Sequence, residues 1–399
     1  MIKESSTAMG RYASRLAPNW QTVRDLMLTW VRQNNESPER MKGKKQLRIA
    51  DVFCGCGGLT LGAKEAARRN GLGIDIRLAV DSDPSAIAVY RANFSPGGAS
   101  RDQPLESLFD GRLGEVPTTR EKMTVRQCGP IDILLAGPPC QGHSDLNNST
   151  RRNDPRNSLY LRAARAIEVL KPRFAFIENV PSVVHDISDV VGAARRNLGL
   201  ADYHLSTTVV GFEALGLPQR RRRHILFASR LPQVSIEAIM PQRLRESKVA
   251  VGPFITDLMD EPEASKDLVC RPSRMTEANR LRVDYLFENG LHDLPDKLRP
   301  PCHRDKPHSY QSVYGRMHWS KPAQTITSGF GSMGQGRYVH PRRRRMITPH
   351  EAARIQGFPD FFDFSAAGGL TALRTMIGNA VPPPLMMHLL GRLFQMKFL

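Results

Sequence analysis

From Leu47 to Ser229 the chain alternates short β-rich apolar runs with helical stretches, and that rhythm leaves few architectures open. The strand candidates are Arg48 to Phe53, Ile76 to Val80, Ile131 to Ala136, Phe174 to Ile177 and His224 to Ala228. Helical stretches lie between them at Leu59 to Arg69, Pro84 to Asn93 and Leu159 to Leu170. The expected fold is α/β, with a mostly parallel sheet and helices on both faces. Ligands of such sheets collect in the crevice beyond the carboxyl ends of the strands.

Outside this stretch the pattern changes. Residues 1–46 are polar and basic, an extension with one amphipathic helix expected over Leu16 to Val31 and a linker at Ser37-Pro38 and Met41 to Lys45. After Ser229 the chain becomes irregular and rich in Pro, Arg, His and Gly. A helix returns at Thr348 to Gln356, with Thr348 as N-cap and Pro349 in the first turn. Met376 to Phe394 closes the chain with a glycine turn and an apolar helix. The expected division is an N-terminal extension (1–46), a catalytic and cofactor domain (47–230), a smaller second domain (231–364) and a segment returning to the first domain (365–399).

The chain has 399 residues, of which 40% are hydrophobic, and no apolar run long enough to span a bilayer. Its start carries charges without the apolar core of a leader, so a cytoplasmic location is expected. Six cysteines without zinc-ribbon pairing read as reduced thiols, and no metal is expected. With 57 Lys+Arg against 39 Asp+Glu, the net charge of +18 points to a polyanion. Arg220 to Arg223 and Arg342 to Arg345 are runs suited to phosphate contacts, or to a merely solvated face.

Five local patterns suggest chemistry. Asp51-Val52-Phe53-Cys54-Gly55-Cys56-Gly57-Gly58-Leu59-Thr60 runs strand, glycine turn, helix. A dinucleotide fingerprint would need glycine where Thr60 stands, and a P-loop would need Gly-Lys where Gly62-Ala63 stands. Asp81, at the end of the next strand, can accept hydrogen bonds from ribose hydroxyls, or be a plain surface acid. A glycine turn with a ribose acid and no phosphate machinery suits S-adenosylmethionine better than NAD or ATP. Gly137-Pro138-Pro139-Cys140 sets a cysteine on a stiff loop after a strand, where it is either a nucleophile or an inert buried thiol. Glu178, at the mouth of a neighbouring strand, faces the same crevice and can exchange a proton with a bound base. Gln219-Arg220-Arg221-Arg222-Arg223 brings arginine to it as well.

In this order the patterns resemble the C5-cytosine DNA methyltransferases over residues 48–393. Asp51 to Gly58 is similar to that family's cofactor turn, and Gly137 to Ser144 to its nucleophile loop. Glu178-Asn179-Val180 resembles the element that holds the target cytosine, and Gln219, Arg221 and Arg223 a Gln-x-Arg-x-Arg element. Arg345, Thr348, Glu351, Arg354, Gln356, Gly357, Phe358 and Pro359 resemble the element supporting the small domain. Gly378-Asn379-Ala380-Val381-Pro382 resembles the closing element beside the cofactor. Two departures stand out: His143 replaces the usual Phe, and Gln103 follows Asp102 where an aliphatic residue is common.

The resemblance implies a Rossmann-like methyltransferase sheet with a target-recognition domain. It implies catalysis by Cys140, Glu178, Arg223 and Arg221. The implied cofactor is S-adenosylmethionine, bound by Phe53, Gly55, Gly57, Gly58, Asp81, Ser82, Asp102, Pro139, Leu159, Asn379 and Ala380. The implied partner is double-stranded DNA, touched by Gln141, Ser144, Arg316, Thr325 and Ile326, the Thr325-Ile326 pair being readable also as plain strand. Cys140 would add to C6 of a flipped cytosine, so that C5 takes the methyl group. A monomer in a prokaryotic cytoplasm at the nucleoid is expected, with a restriction endonuclease as functional partner. Two alternatives remain at this point, a tRNA cytosine-5 methyltransferase and a non-catalytic nucleic-acid-binding homologue.

Overall fold

The computed structural model describes residues 20–35, 45–139, 155–240, 249–260, 267–305 and 312–399. Cys140, Gln141, His143 and Ser144 lie outside the described residues, as do the first residues of the helix expected from Leu16.

Seven strands form the central sheet: β1 (Gln46–Val52), β2 (Gly73–Asp81), β3 (Ser100–Asp102), β4 (Ile133–Ala136), β5 (Phe174–Asn179), β6 (His204–Gly211) and β8 (Arg222–Ser229). Their order is β3-β2-β1-β4-β5-β8-β6. All pairs are parallel except those made by β8, which runs antiparallel to both β5 and β6. The strand order reverses between β1 and β4. The crevice therefore opens beyond the ends of those two strands, where the glycine turn and the Gly137-Pro138-Pro139 loop emerge. The α/β fold expected from the alternation is the fold observed.

Two strips of core explain the near-continuous apolar runs of β1, β4 and β5, which are buried on both faces. One face packs Ile49, Ile133, Leu135, Phe174, Phe176 and Phe227 against the first and last helices of the fold. The other packs Ala50, Val52, Leu134, Ile177 and Leu226 under Leu159–Leu170 and Val190–Leu200.

Some elements were not legible. β6 shows only one fully buried position along His204–Gly211, so it lacks a clean apolar alternation. The helix Thr119–Cys128 buries Glu121 in place of an apolar residue, because Arg165 of the helix Leu159–Leu170 meets it at 2.7 Å with both side chains out of water. The closing region is two helices, Leu370–Asn379 and Pro384–Gln395, divided by Ala380-Val381-Pro382-Pro383. The proline pair cannot continue a helix and redirects the chain. The second of these helices lies on Gly58–Arg69, and so closely that a Cβ on Gly62 would sit 2.1 Å from the Pro383 carbonyl oxygen.

The helix Trp20–Val31 is built into this body rather than hung from it. Trp30 is 2% exposed and its indole Nε1 donates to the Gly357 carbonyl at 2.8 Å. The Asp360 and Phe361 amides donate to the Val31 and Gln33 carbonyls, and Arg32 reaches the Pro253 carbonyl and Asp257. Among the described residues, no helix is long and apolar enough to cross a membrane.

The helix Pro349–Ile355 starts as its sequence suggests. Thr348 accepts from the Glu351 amide while Glu351 accepts from the Thr348 amide, a reciprocal cap behind a first-turn proline. Arg345 then holds Glu351 through two bonds of 2.9 and 2.8 Å.

Candidate active site

The glycine turn leaves β1 with Phe53, Gly55 and Gly57 all at positive φ. At Gly57 a side chain is excluded twice over: φ is 95°, and a Cβ would lie 2.2 Å from the Phe94 ring. Gly58 is closed by the opposite wall, since its Cβ would meet the Val381 carbonyl oxygen at 2.2 Å. Gly55 differs, with nothing within 4 Å of the position its Cβ would take. The turn is thus packed by protein on two sides and open at Gly55.

Asp81 ends β2 beside that opening. Its carboxylate accepts from the Gly55 amide at 2.8 Å and from the Asp83 amide at 2.9 Å, and burial pushes its pKa above the usual carboxylate range. Asp102 lies directly across from Asp81 at the end of β3 and is exposed, as is Ser82. Phe53, Pro139, Leu159 and Ala380 are partly buried, and Asn379 is exposed. Among the described residues the arrangement is an acid-rimmed cradle without a phosphate-binding lysine, and it fits a nucleoside cofactor.

On the other side of the crevice, β5 and β8 place Glu178 and Arg223 by register. Glu178 pairs with Ile225 and Asn179 with His224. Arg223, two residues before Ile225, therefore lies on the same face as Glu178. Arg223 Nε lies 2.7 Å from Glu178 Oε1, with side chains 11% and 9% exposed. The N–H does not point along a hydrogen bond, and among the described residues Oε1 has none. Arg223 instead donates through Nη1 to the Arg222 carbonyl at 2.8 Å. Asn179 ties the two strands' loops together, its Nδ2 donating to the Pro138 carbonyl at 3.4 Å and its Oδ1 accepting from Val180.

Arg221 is not brought to this pair by its hydrogen bonds. It is buried and donates to the Ile326 carbonyl at 3.2 Å and to the Ala380 carbonyl at 3.0 Å. Gln219 works beside it: its Nε2 donates to Gln356 Oε1 at 2.7 Å, and its Oε1 accepts from the Ile326 amide at 3.2 Å. Gln356 passes the chain on to the Ile377 carbonyl at 2.7 Å. Buried side-chain amides of this kind fix one arrangement of the three segments they join.

The expected DNA-contacting residues fare differently. Ile326 is fully buried, with amide and carbonyl both taken by the Gln-x-Arg element, so its side chain is core and not surface. Thr325 is partly exposed, and its hydroxyl donates to the Arg220 carbonyl at 2.8 Å. The short β7–β9 pairing (Gln219–Arg220 with Ala323–Gln324) ends just before Thr325-Ile326, which follow it without being part of the strand. The Arg316 guanidinium sits over the Phe287 ring, 4.5 Å from its centre, and burial lowers its pKa.

In the run Arg342–Arg345 the first three arginines are exposed but already engaged by neighbouring side chains, and Arg345 is buried. Arg342 stacks on Trp319 at 3.7 Å, Arg343 pairs with Asp260, Arg344 with Asp284 and Glu288, and Arg345 with Glu351. In the other run, Arg220 and Arg222 are exposed while Arg221 and Arg223 turn inward.

Reading the letters missed Thr60 and Tyr90. Thr60 was weighed only as an absent glycine, yet its hydroxyl donates to Asp51 Oδ2 at 2.6 Å and meets the Tyr90 hydroxyl at 2.9 Å. A buried hydroxyl in the first turn of a helix, nine residues after a strand aspartate, was the available signal.

The family model described as C-5 cytosine-specific DNA methylase matches residues 47–395. The type II methyltransferase M1.BsuMI of Bacillus subtilis (strain 168) is 45% identical over 359 residues, covering 90% of this chain and 82% of the relative. The type II methylase M.HgiDII of Herpetosiphon aurantiacus is 32% identical, with 84% and 91% covered. Among solved structures, the S. pombe Dnmt2 methyltransferase shares the fold with a TM-score of 0.59 at 17% identity, covering 89% of this chain and all (100%) of that one. The chain belongs to the C-5 cytosine-specific DNA methylase family and is a DNA (cytosine-5-)-methyltransferase.

Proposed function

We propose that this enzyme methylates C5 of a flipped cytosine in duplex DNA, using Cys140 as nucleophile and S-adenosylmethionine as donor. The observation that carries the reading is the Arg223–Glu178 pair, an ionic contact that leaves Glu178 Oε1 without a hydrogen bond in a crevice between strand ends. A cytosine edge offers what that oxygen lacks, since N3 in its protonated form and the exocyclic amine are both donors.

Cytosine C5 is too electron-poor to take a methyl group directly. The Cys140 thiolate adds to C6 and turns C5 into an enamine carbon, while Glu178 supplies the proton at N3 and Arg223 steadies the O2 side. S-adenosylmethionine, held by the Gly55 turn and Asp81, supplies an electrophilic methyl group on sulfur. After transfer the C5 proton is lost and Cys140 leaves C6, which gives 5-methylcytosine and S-adenosylhomocysteine. The ring is inaccessible inside a duplex, so the base must leave the stack. Arg221, bound to the Ile326 and Ala380 carbonyls, holds the recognition segment to the cofactor wall.

The same reading makes residues 231–364 the target-recognition part. It places the enzyme in a prokaryotic cytoplasm at the nucleoid, as a monomer beside a restriction endonuclease of matching specificity; the type II names of the two relatives favour such a partner. The tRNA alternative has less support, because both relatives are named type II enzymes.

Duplex DNA containing 5-fluorocytosine in the target site tests the chemistry. Fluorine cannot leave C5 as a proton does, so wild-type enzyme with donor is expected to remain covalently attached and Cys140→Ala is not. Active wild-type enzyme that forms no adduct would overturn attack by Cys140. Labelled-methyl transfer to tRNA in place of duplex DNA would overturn the substrate.

A further inference from the structure

Among the described residues, the buried arginines all end on carboxylates or carbonyls. Arg165 meets Glu121 and Glu168, Arg223 meets Glu178, Arg345 meets Glu351, and Arg354 meets Asp257 and Asp360. Arg221 ends on the Ile326 and Ala380 carbonyls. Arg374, midway along the helix Leu370–Asn379 and half-buried, departs from this pattern. Its guanidinium donates only to neutral hydroxyls, through Nη1 to Ser273 Oγ and through Nη2 to Thr371 Oγ1 at 3.3 Å. Among the described residues no carboxylate pairs with it, and burial alone acts on its pKa, lowering it. Hydroxyls satisfy N–H groups but neutralise nothing, and a guanidinium stays charged. A positive charge drawn partly out of water without a counter-ion is costly, so this position favours an anion. Arg316 also has its pKa lowered by burial, but the face of the Phe287 ring lies under it as a counterpart.

The same face of the helix carries the segment that follows Ile326. Gly378, one turn beyond Arg374, is pressed to that backbone so closely that a Cβ would lie 2.2 Å from the Ser328 amide nitrogen. A Cβ on Gly331 would lie 2.2 Å from Arg374 Nη1 and 2.5 Å from Ser273 Oγ, so glycine at 331 is what leaves room for the guanidinium. The turn at residues 328–331 is fixed from inside by the fully buried Phe330, whose amide bonds to the Thr327 carbonyl, while the Ser332 amide bonds to Gly329. This turn begins three residues after Thr325, which is tied to the exposed Arg220. Ser273 and Gly331 belong to the 231–364 part and Arg374 to the closing segment, so the unmatched charge stands at the seam of the two.

We propose that Arg374 is a DNA-binding residue: at the seam between the turn at residues 328–331 and the closing helix, its guanidinium takes a backbone phosphate of the duplex. This rests on duplex DNA as the substrate, which brings a phosphate to every nucleotide. A phosphate offers the charge that Ser273 and Thr371 lack, while their hydroxyls fix the plane of the guanidinium that meets it. Such a contact reads no base; it sets the register of the neighbouring turn on the duplex.

The test is a salt series on the full chain. Bisulfite sequencing of DNA methylated by the enzyme locates the target site, and a labelled duplex carrying that site is titrated by fluorescence anisotropy in the presence of S-adenosylhomocysteine. Arg374→Gln keeps a side chain able to bond the two hydroxyls and removes the charge. It is expected to bind about tenfold more weakly near physiological salt, with the slope of log K against log salt smaller by about one, and Arg374→Lys should restore the slope. Duplexes with a single neutral methylphosphonate find the contact: at one linkage the substitution should weaken wild type and leave Arg374→Gln unaffected. The Kd for S-adenosylmethionine should stay within about twofold of wild type in each variant. A slope in Arg374→Gln equal to that of wild type, or the same methylphosphonate losses in both, would overturn the inference and leave Arg374 a brace for the turn. Weakened donor binding in Arg374→Gln with an unchanged slope would also overturn it, because the anion would then be the donor's carboxylate. Wild-type enzyme without salt-dependent binding to duplex DNA would overturn the substrate reading and this inference with it.

Discussion

Arg223 Nε stands 2.7 Å from Glu178 Oε1 across the antiparallel β5–β8 pair, close enough to pair as ions yet turned out of line for a hydrogen bond. The guanidinium spends its Nη1 proton on the Arg222 carbonyl. The carboxylate is therefore held in place without its acceptor being consumed. Preorganisation of this kind is what a transition-state contact needs, since no partner must be displaced when substrate arrives.

Glu178→Gln keeps the size of the side chain and removes both its charge and its exchangeable proton. Turnover is expected to fall by about 10²- to 10⁴-fold. The Kd for S-adenosylmethionine should stay within about twofold of wild type, since Glu178 lies on the base side of the crevice. Single-turnover kinetics with calorimetric cofactor binding would separate the two; a variant with unchanged turnover would remove Glu178 from the chemistry.

Trp30 is expected to behave as core despite its place in an N-terminal extension. Trp30→Ala should cost about 3–5 kcal/mol, the range for emptying a buried aromatic site. Trp30→Phe should cost less, about 1 kcal/mol of it from the lost bond to the Gly357 carbonyl. Denaturant unfolding of the full chain measures both, and a Trp30→Ala protein as stable as wild type would mean the helix is dispensable.

The two arginine runs should contribute differently to DNA affinity. All of Arg220, Arg222, Arg343 and Arg344 are exposed, but Arg343 and Arg344 already face Asp260, Asp284 and Glu288. Replacing Arg220 or Arg222 with Ala is expected to reduce the slope of log K against log salt by about one each. Arg343→Ala and Arg344→Ala should change it by much less. Fluorescence anisotropy over a salt series reads the slopes, and equal losses from both runs would contradict the ion pairing.

Acid should destabilise the protein before its carboxylates titrate. Burial lowers the His224 pKa to about 4 and the His340 pKa to about 3, the latter helped by Arg345, Arg343 and Arg342. Folded-state values below the unfolded value of about 6.5 mean that the unfolded chain takes up protons first. The stabilisation is therefore full above about pH 6.5 and is lost progressively as pH falls toward 4. Thermal unfolding between about pH 7.5 and 5 should show Tm falling with pH, less steeply in His224→Asn. A Tm independent of pH in that window would show that these rings are not held neutral.

The linear chain by itself determined the α/β class and the identity of the crevice. Strands buried on both faces must be apolar throughout, and glycine must stand where a Cβ would strike Phe94 or the Val381 carbonyl. Those demands are local, and they leave letters that can be read in order: the glycine turn, Asp81, Gly137-Pro138-Pro139, Glu178 and Gln219-x-Arg221-x-Arg223. Tertiary structure alone decided which of several similar residues does what. Four consecutive arginines divide into two that face solvent and two that are buried: Arg223, near the start of β8, is aimed at Glu178, and Arg221, between β7 and β8, is claimed by the Ile326 and Ala380 carbonyls. Ile326 is held in the core, just past the short strand Ala323–Gln324, because Gln219 and Arg221 claim its backbone amide and carbonyl. Thr60 gained a role because the first turn of its helix lies over Asp51, nine residues back. These outcomes depend on partners far away in sequence, and a pattern of neighbours carries no information about which distant group will fill a lone pair.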